Sequence, residues 1–268
     1  MNRNQILIEA NELLQKIGDK NIRIFDATVT NGAYLQEHIP GAAFFEHEKF
    51  SAPESANRYT NMLPEDLLAE QIGVLGISNE TEVIVYACGM LPYAVRAWWV
   101  LRYAGHNNVR ILNGGLSAWK QAGGQIEQEA HQYKPATFQP HLREWMYADK
   151  EEVLKSLSTA DTAIVNVLPL ESFDASHIEG SISLSCMDLM DGMNAFLPDD
   201  QIAARLQEVA NNQRIITYCG GGIAAAVNAA AHLMTGHENA AVYHGSMYEW
   251  LAEGLPTVGT GQWEIWKR

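Results

Sequence analysis

The sequence predicts an α/β protein of two similar domains, each a parallel β-sheet flanked by helices. Two observations support this prediction. Short runs rich in β-branched residues alternate with helical patterns along the whole chain, which is typical of parallel sheets with crossover helices. The same order of motifs also occurs twice, which indicates a duplicated domain. At 268 residues, the chain is long enough for two domains that each bury a core.

The repeat is clearest in the second part of each half. There, a strand-like run is followed by a cysteine, a Gly-His pair and a tryptophan. Gly105 and Trp119 in the first half correspond to Gly236 and Trp250 in the second, and both displacements are 131 positions. Chance rarely produces two matches at one offset over such a span, so we infer a duplication.

A polar segment separates the halves. A His-Ile-x-Gly motif begins at His38 and again at His177, so each half has its own copy. Between these copies, residues 125–141 lack periodic apolar residues and include two prolines, which is typical of a linker. We therefore predict a first domain over residues 1–139 and a second over residues 140–268.

Apolar periodicity predicts the elements in order. The predicted strands are 22–25, 83–86 and 110–112 in the first half and 163–167, 215–218 and 241–243 in the second. The predicted helices are 4–17, 64–75 and 94–104, followed by 199–210 and 224–234. Prolines near the starts of two of them support these limits, because proline is favoured in the first helical turn. Trp119 and Trp250 are predicted to pack in the core.

Charge and cysteine content exclude several classes of function. Lysine and arginine number 18 against 32 aspartate and glutamate, a formal net charge of −14; this argues against nucleic acid and anionic membranes as partners. The scattered Cys88, Cys186 and Cys219 are too few for a disulfide framework or a cysteine-rich zinc site. The start of the chain has no signal-peptide pattern, and no apolar run approaches about 18 residues. We expect a soluble, cytoplasmic protein without a metal.

Cys219 is the strongest candidate nucleophile. It follows the predicted strand 215–218 and precedes three glycines and a helical stretch, at the end of a parallel strand where α/β proteins place their sites. Glycines let backbone amides turn inward, and a helix N-terminus attracts anions. The alternative is a small buried apolar residue beside a tight turn. The predicted anion-binding loop consists of Gly220, Gly221, Gly222, Ile223 and Ala224.

The order of these motifs resembles that of the tandem-domain rhodaneses, the thiosulfate and mercaptopyruvate sulfurtransferases. The motifs are His-Ile-Pro-Gly, a strand ending in Tyr-Cys-Gly-Gly-Gly-Ile-Ala, Gly-His, and Tyr-x-Gly-Ser-x-x-x-Trp. An Asn-Met-Leu-Pro sequence at Asn61 looks like part of the family's non-catalytic amino-terminal domain. The resemblance spans nearly the whole chain and implies two rhodanese-like domains, the second of them catalytic.

The resemblance also implies a reaction, the transfer of a sulfane sulfur through a cysteine persulfide. Cys219 matches the catalytic position, and the attacking thiolate form is favoured at helix N-termini and near cations. The implied donor is a small anion such as thiosulfate, the implied acceptor is cyanide or a thiol, and no cofactor is required. The amides from Gly220 to Ala224 are expected to surround the terminal sulfur of the persulfide.

Cys88 is a weaker candidate. Counting forward from the strands places Ala87 opposite Cys219, whereas counting back from Gly105 places Cys88 there, so the first loop has one extra residue. Met-Leu-Pro stands in place of the glycines, which removes the loop of inward amides. We predict that Cys88 does not carry the reaction.

The residues expected to bind substrate depart from the family pattern. Mercaptopyruvate-type loops resemble Cys-Gly-Ser-Gly-Val-Thr, whereas here a glycine and an alanine replace Ser and Thr. Thiosulfate-type loops of animal enzymes carry basic residues after the cysteine, and none follows Cys219. Residues 166–177, where the family has substrate-binding arginines, contain no arginine or lysine. Arg58 and Arg96 are therefore the candidate substrate-binding cations of an interdomain cleft, with an ion pair as the alternative for Arg96.

Three histidines occur near these motifs. His38 and His177 occupy equivalent places, and recurrence in a domain expected to be silent favours a structural role. His244 stands where the family commonly has an acidic residue before Gly-Ser. We expect it to be a surface histidine, with a place near the site as the alternative.

Other functions compete with sulfur transfer. A phosphatase or arsenate reductase of the same superfamily needs an arginine at the sixth position after its cysteine to clamp phosphate; Ala225 and Ala94 stand there, which excludes this class. A persulfide relay, which accepts sulfur from one protein and passes it to another, is the alternative that the missing cations favour. A pseudoenzyme is disfavoured because it has no need of a cysteine beside three glycines.

Overall fold

The computed structural model describes residues 1–55 and 61–261. Each half of the chain forms one five-stranded parallel sheet with helices packed on it, which confirms the predicted fold class. Arg58, one of the two candidate cations, lies outside the described residues. Within these residues, no helix combines the length and the apolar character needed to span a membrane.

The first half begins with a short helix and ends with the helix that carries Trp119. A 3-10 helix, His47–Phe50, lies between its third strand and fourth α-helix. The elements are α1 (Arg3–Ile6), β1 (Leu7–Ile8), α2 (Ala10–Lys16), β2 (Ile22–Asp26), α3 (Asn31–Gln36), β3 (Ala43–Phe44), α4 (Glu65–Val74), β4 (Glu82–Tyr86), α5 (Leu91–Tyr103), β5 (Val109–Leu112) and α6 (Gly115–Gln121).

The second half repeats this order with additional short strands. Two 3-10 helices, Glu144–Met146 and Cys186–Leu189, precede β6 and β10. The elements are β6 (Tyr147–Ala148), α7 (Lys150–Ser156), β7 (Thr162–Asn166), α8 (Leu170–Ala175), β8 (His177–Ile178), β9 (Ile182–Ser183), β10 (Met190–Asp191), β11 (Ala195–Phe196), α9 (Asp199–Leu206), β12 (Arg214–Tyr218), α10 (Ala225–Met234), β13 (Ala240–Tyr243), α11 (Ser246–Ala252) and β14 (Thr257–Val258).

The two five-stranded sheets have the same topology. The first has the order β1-β5-β4-β2-β3 and the second β6-β13-β12-β7-β9, and all neighbours are parallel. The central strands β4 and β12 therefore occupy equivalent places. Their last residues, Tyr86 and Tyr218, lie opposite Asp26 and Asn166. The repeat seen in the sequence is thus a repeat of the whole sheet.

Burial on both faces explains the composition of the central strands. In a parallel sheet covered by helices, strands are apolar along most of their length, and the last four residues of β4 and of β12 are all buried. Trp119 and Trp250 are 1% and 0% exposed, which confirms that both belong to the core. Each indole N–H donates to a backbone carbonyl six residues further on, that of Gln125 or Pro256.

The two halves pack through the helices that follow their central strands. Helices α5 and α10 contact each other, and one continuous cluster of buried side chains includes residues of both halves. The Leu91 N–H at the start of α5 donates to the Met193 carbonyl at 2.7 Å. The Asn113 side-chain oxygen accepts from the Phe196 N–H at 3.0 Å. This packing brings the first half against the loop that contains Cys219.

The prediction of one helix over residues 4–17 is wrong. The chain leaves the helix after Ile6, and Leu7 and Ile8 form β1, an edge strand that pairs in parallel with β5. This pairing buries Leu7 and Ile8 to 3% and 1% exposure. Burial and sheet hydrogen bonds here outweigh local helix propensity, because propensity is a weak preference that tertiary contacts override. The equivalent strand, β6, has only two residues and left no periodic signal.

The polar segment 125–141 runs along the surface of the first half. His38 and Glu127 exchange two backbone hydrogen bonds of 2.9 Å. The Ala136 N–H donates to the Gly73 carbonyl at 2.9 Å, and Phe138 is 5% exposed. The connection between the halves is therefore held by contacts with the first sheet and its helices.

Candidate active site

Cys219 lies directly beyond the carboxyl end of the central strand β12. The neighbouring strand β7 ends beside it, and the Val167 N–H donates to the Tyr218 carbonyl at 3.0 Å. Helix α10 begins six residues after the cysteine, at Ala225. Cys219 is 3% exposed. The thiol thus lies at a strand-to-helix turn that is covered by surrounding groups.

The loop after Cys219 provides backbone donors. The Gly222 N–H donates to Sγ of Cys219 at 3.1 Å, and Gly222 has φ 81°, a left-handed conformation that favours glycine. Helix α10 is ten residues long, and its N-terminus carries partial positive charge. Four further loop amides have no acceptor among the described residues, those of Gly220, Gly221, Ile223 and Ala224. These donors remain for a bound anion.

Ser246 supports Cys219 from the next loop. Its Oγ accepts from the Cys219 N–H at 3.1 Å, donates to the Tyr243 carbonyl at 2.8 Å and lies 4.0 Å from Sγ of Cys219. At φ 51° it is the one non-glycine with positive φ in the described ranges. A left-handed serine costs on the order of 1–3 kcal/mol. Its hydrogen bonds, and that from the Met247 N–H to the Cys219 carbonyl, hold this conformation.

The first half contains the same turn without a cysteine in the equivalent place. Gly115, the counterpart of Ser246, has φ 54°, and a Cβ at this glycine would lie 2.2 Å from the carbonyl oxygen of Ala87. Ser246 approaches the backbone of Cys219 in the second half. Ala87 is therefore the structural counterpart of Cys219, and Cys88 is the extra residue of the first loop.

The surroundings of Cys88 differ from those of Cys219. Its N–H donates to Oγ1 of Thr28 at 2.8 Å. Burial, and then the carboxylate of Asp26, raises the pKa of the Cys88 thiol. Helix α5 begins at Leu91, whose N–H donates to a carbonyl of the second half. The thiol form of Cys88 is favoured, and the first amide of α5 is already in use.

Arg96 extends from α5 of the first half into the site of the second. It is 2% exposed, and Nη1 lies 2.7 Å from Nδ1 of His244. Burial lowers the pKa of Arg96 to about 10, and the thiolate of Cys219 acts in the opposite direction. The guanidinium is therefore charged at neutral pH and interacts electrostatically with Cys219. One of the contacts of this guanidinium is therefore an interdomain contact with a histidine.

The prediction that His244 is a surface histidine is wrong. Its exposed fraction is 0%, because the first half covers the end of β13. Burial, and then the charge of Arg96, lowers the pKa of His244 well below its usual value, so the imidazole is neutral. The ring of Tyr147 stacks on it, with centroids 5.2 Å apart and an interplanar angle of 26°.

Other polar groups around Arg96 are also neutral. Burial, opposed by a hydrogen bond to the Ala27 carbonyl and assisted by the charge of Arg96, lowers the pKa of His47 to about 4. Sδ of Met62 lies 3.8 Å from Nη2 of Arg96. The hydroxyl of Tyr147 donates to the side-chain oxygen of Asn61 at 3.0 Å. Arg96 thus lies among histidine, tyrosine and methionine side chains.

His38 and His177 have equivalent surroundings in the two halves. Nδ1 of each ring lies 2.7 Å from a carbonyl oxygen four residues earlier. Each ring also stacks on the aromatic side chain of that residue, Tyr34 or Phe173. These contacts fix the turn after α3 and the turn after α8, as expected of structural histidines.

Sequence reasoning missed three residues of this site. Ser246 appeared only as a letter of the Gly-Ser motif, and its offset from Gly115 was the available signal. Tyr147 gave no signal in the sequence, because it lies in a two-residue strand. Cys186 is 7% exposed, and burial, followed by the charge of Cys219, raises its pKa to about 12. In the described part of the chain, no group of three or more His, Cys, Asp or Glu side chains is arranged to hold a metal ion.

Comparison with known proteins gives two kinds of match. The sequence profile of the rhodanese-like domain matches residues 9–122 and again residues 149–253. Bovine thiosulfate sulfurtransferase is 30% identical over 246 residues, which cover 85% of this chain and 82% of the bovine one. A putative thiosulfate sulfurtransferase from Mycobacterium tuberculosis, SseB, is 33% identical over 285 residues, which cover 97% and 98% of the two chains.

Solved structures with the same fold cover nearly the whole chain. The crystal structure of the 3-mercaptopyruvate sulfotransferase SseA from Escherichia coli has a TM-score of 0.79 and 27% identity, and covers 90% of this chain and 98% of SseA. The anaerobic ergothioneine biosynthesis enzyme from Chlorobium limicola has a TM-score of 0.86 at 22% identity, covering 97% of this chain and 71% of its own, and shows the fold alone. Two matched domains, relatives at 30% and 33% identity and a shared fold agree: the chain belongs to the rhodanese family and is a sulfurtransferase with two rhodanese-like domains.

Proposed function

We propose that this sulfurtransferase moves a sulfane sulfur from a small anionic donor such as thiosulfate to cyanide or a thiol, through a persulfide on Cys219. The observation that carries the proposal is the hydrogen bond from the Gly222 N–H to Sγ of Cys219. It directs the sulfur into a loop whose other amides are unused. The catalytic domain is then the second, over residues 140–268, and the domain over residues 1–139 supplies one wall of the site.

In the first half-reaction, the thiolate of Cys219 attacks the outer sulfur of thiosulfate. A bond forms between Sγ and this sulfur, the S–S bond of the donor breaks, and sulfite leaves with the bonding electron pair. The thiol proton is lost to solvent before the attack. The terminal sulfur of the persulfide is an anion, which the loop amides and the N-terminus of α10 stabilise.

In the second half-reaction, the acceptor attacks the terminal sulfur. Cyanide carbon or a thiolate sulfur forms a bond to it, and the S–S bond of the persulfide breaks. Cys219 leaves as the thiolate with the electron pair, so the enzyme returns to its starting state. Thiocyanate or a new persulfide is released. Neither half-reaction needs a metal, an organic cofactor or an external oxidant.

Arg96 is the cation that we assign to recruitment of the donor. The net charge of −14 repels anions from the protein as a whole. A buried guanidinium that interacts electrostatically with Cys219 opposes this repulsion locally. Gly220, Gly221, Gly222, Ile223 and Ala224 bind the donor through their amides in this proposal, and the role of Arg58 stays a prediction from the sequence.

A mass measurement tests the proposal. The reduced protein is incubated with thiosulfate or mercaptopyruvate and its intact mass is compared with that of Cys219→Ser. A gain of one sulfur atom in the parent that Cys219→Ser lacks is the expected result. No gain from either donor, together with a gain from a persulfidated cysteine desulfurase, would replace the small-molecule enzyme by the protein-to-protein persulfide relay.

The three cysteines favour a reducing compartment. Cys88, Cys186 and Cys219 are all free thiols, and Cys219 must stay reduced to accept sulfur. We therefore propose a cytoplasmic location, which fractionation of cells with an antibody against the protein would test.

A further inference from the structure

We propose that His244 is a positioning residue: it holds the guanidinium of Arg96 beside Cys219 through a neutral acceptor, and this contact leaves the positive charge in place for anionic sulfur donors. The inference rests on the proposed function, since it concerns how the same site selects its donor. In this proposal, His244 does not touch the sulfur donor but contributes to the preference for negatively charged donors.

The contact itself is short and enclosed. Nη1 of Arg96 lies 2.7 Å from Nδ1 of His244, and the side chains are 2% and 0% exposed. A guanidinium only donates hydrogen bonds, so Nδ1 must be the unprotonated, accepting nitrogen of the ring. The stacked ring of Tyr147 fixes the imidazole plane. The contact thus fixes the position of the guanidinium, and it also fixes the tautomer of His244.

The position of His244 in the chain links it to the reacting cysteine. His244 follows the last residue of β13 and precedes Gly245 and Ser246, whose Oγ accepts from the Cys219 N–H. The loop that orders the backbone of Cys219 therefore also holds Arg96. The guanidinium comes from the other domain, so this contact completes the site across the domain interface.

The charge of this hydrogen-bond acceptor affects how much net positive charge an anionic sulfur donor meets near Cys219. An acceptor with a carboxylate would neutralise much of the guanidinium charge at hydrogen-bond distance, whereas a neutral imidazole does not. The carboxylate of this region, Glu249, accepts from the Tyr243 hydroxyl at 2.7 Å and lies 3.5 Å from the Asn61 side-chain nitrogen. The acceptor at position 244 therefore acts directly on the field that Arg96 produces at Cys219.

A matched pair of variants isolates this charge. His244→Asn keeps a neutral acceptor near the place of Nδ1, and His244→Asp has the same shape with a negative charge. Alkylation of Cys219 is followed by mass spectrometry of its peptide, with iodoacetate as the anionic reagent and iodoacetamide as the neutral one. The ratio of the two rates reports the local potential and does not depend on turnover. KM and kcat for thiosulfate are measured in parallel.

We expect His244→Asp to lower the iodoacetate to iodoacetamide ratio about tenfold and to raise KM for thiosulfate by a similar factor, with a smaller change in kcat. His244→Asn, which keeps a neutral acceptor, should keep the iodoacetate to iodoacetamide ratio of the parent. Gln207→Glu adds the same charge at an exposed position and should also stay close to the parent. The proposal is overturned if His244→Asp and His244→Asn both keep the alkylation ratio of the parent. It is also overturned if both lower the ratio by the same factor, because the effect would then come from lost ring packing on Tyr147.

A second pair covers failure of His244→Asp to fold. Met62 contacts Arg96 from the first half, so Met62→Glu places a carboxylate on the same guanidinium, and Met62→Gln is its neutral control. A ratio lowered in Met62→Glu alone supports the inference, and equal ratios overturn it. If the parent gains no sulfur from thiosulfate, the small-molecule function fails while the alkylation ratio still decides the role of His244.

Discussion

Ser246 and Cys219 are bound to each other through the backbone of the cysteine and the side chain of the serine. The Cys219 N–H donates to Oγ of Ser246 at 3.1 Å, and Ser246 holds this position at φ 51°. Strained residues of this kind persist where surrounding contacts over-determine them, and they cluster at functional sites. Gly115 takes the same conformation in the first half, where a glycine has no steric cost. In the second half, the strained residue lies directly beside Cys219.

Substitution of Ser246 separates the contribution of its hydrogen bond to the Cys219 N–H from the cost of its backbone strain. Ser246→Ala keeps the strained φ and leaves the buried Cys219 N–H without its acceptor, which costs about 1–3 kcal/mol. Ser246→Gly loses the same acceptor but relieves the strain. We expect both variants to be less stable than the parent in urea unfolding, with Ser246→Gly the more stable of the two by about 1 kcal/mol. Equal stabilities would contradict the assignment of strain at this position.

Cys88 provides a test of the structural correspondence between the loops. Because Ala87 is the counterpart of Cys219 and burial favours the thiol form of Cys88, Cys88→Ser should leave the rate of thiocyanate formation nearly unchanged. Cys219→Ser should abolish that rate and keep the far-UV circular dichroism of the parent. A loss in Cys88→Ser comparable with that in Cys219→Ser would mean that the first loop takes part in sulfur transfer.

Gly115 tests the packing of the turn in the first half. A Cβ at Gly115 would lie 2.2 Å from the Ala87 carbonyl oxygen, whereas a Cβ at Gly123, with φ 84°, meets nothing within 4 Å. Gly123→Ala should therefore cost only the backbone strain of a left-handed alanine, about 1–2 kcal/mol. Gly115→Ala adds a backbone clash to a similar strain and should be the less stable variant in urea unfolding. Similar losses in the two variants would indicate that the turn at Gly115 can shift freely.

The sequence predicted the parts of this molecule that depend on local pattern. The central strands and the place of Cys219 followed from apolar runs, glycines and the offset of 131 positions. β1 and β6 could not be predicted, because two residues give no periodicity and their partners are distant in sequence. The burial of His244 could not be predicted for a related reason, because residues of the other domain cover it. The contact with Arg96 is a property of two domains packed together, and motif spacing within one domain does not show it.

The pH dependence of stability follows from buried neutral histidines, of which His232 is one. Burial, and then the neighbouring His237, lowers its pKa to about 3 from an ordinary value of 6.5, and the residue is 1% exposed. Between pH 6.5 and about 3, His232 is therefore protonated in the unfolded chain and neutral in the folded protein. Stability from this group is present above pH 6.5 and is lost as the pH falls. At pH 5 the loss is about 2 kcal/mol relative to pH 7.

Replacement of the titrating ring checks this sign. The free energy of unfolding in urea is measured at pH 7 and pH 5 for the parent, for His232→Gln and for His141→Gln, an exposed histidine that serves as control. His232→Gln should be less stable than the parent at pH 7 but should lose about 2 kcal/mol less on acidification, because its amide does not titrate. His141→Gln should keep the parent's pH dependence. If His232→Gln also kept it, other buried groups such as His47, whose pKa is about 4, would have to account for the acid sensitivity.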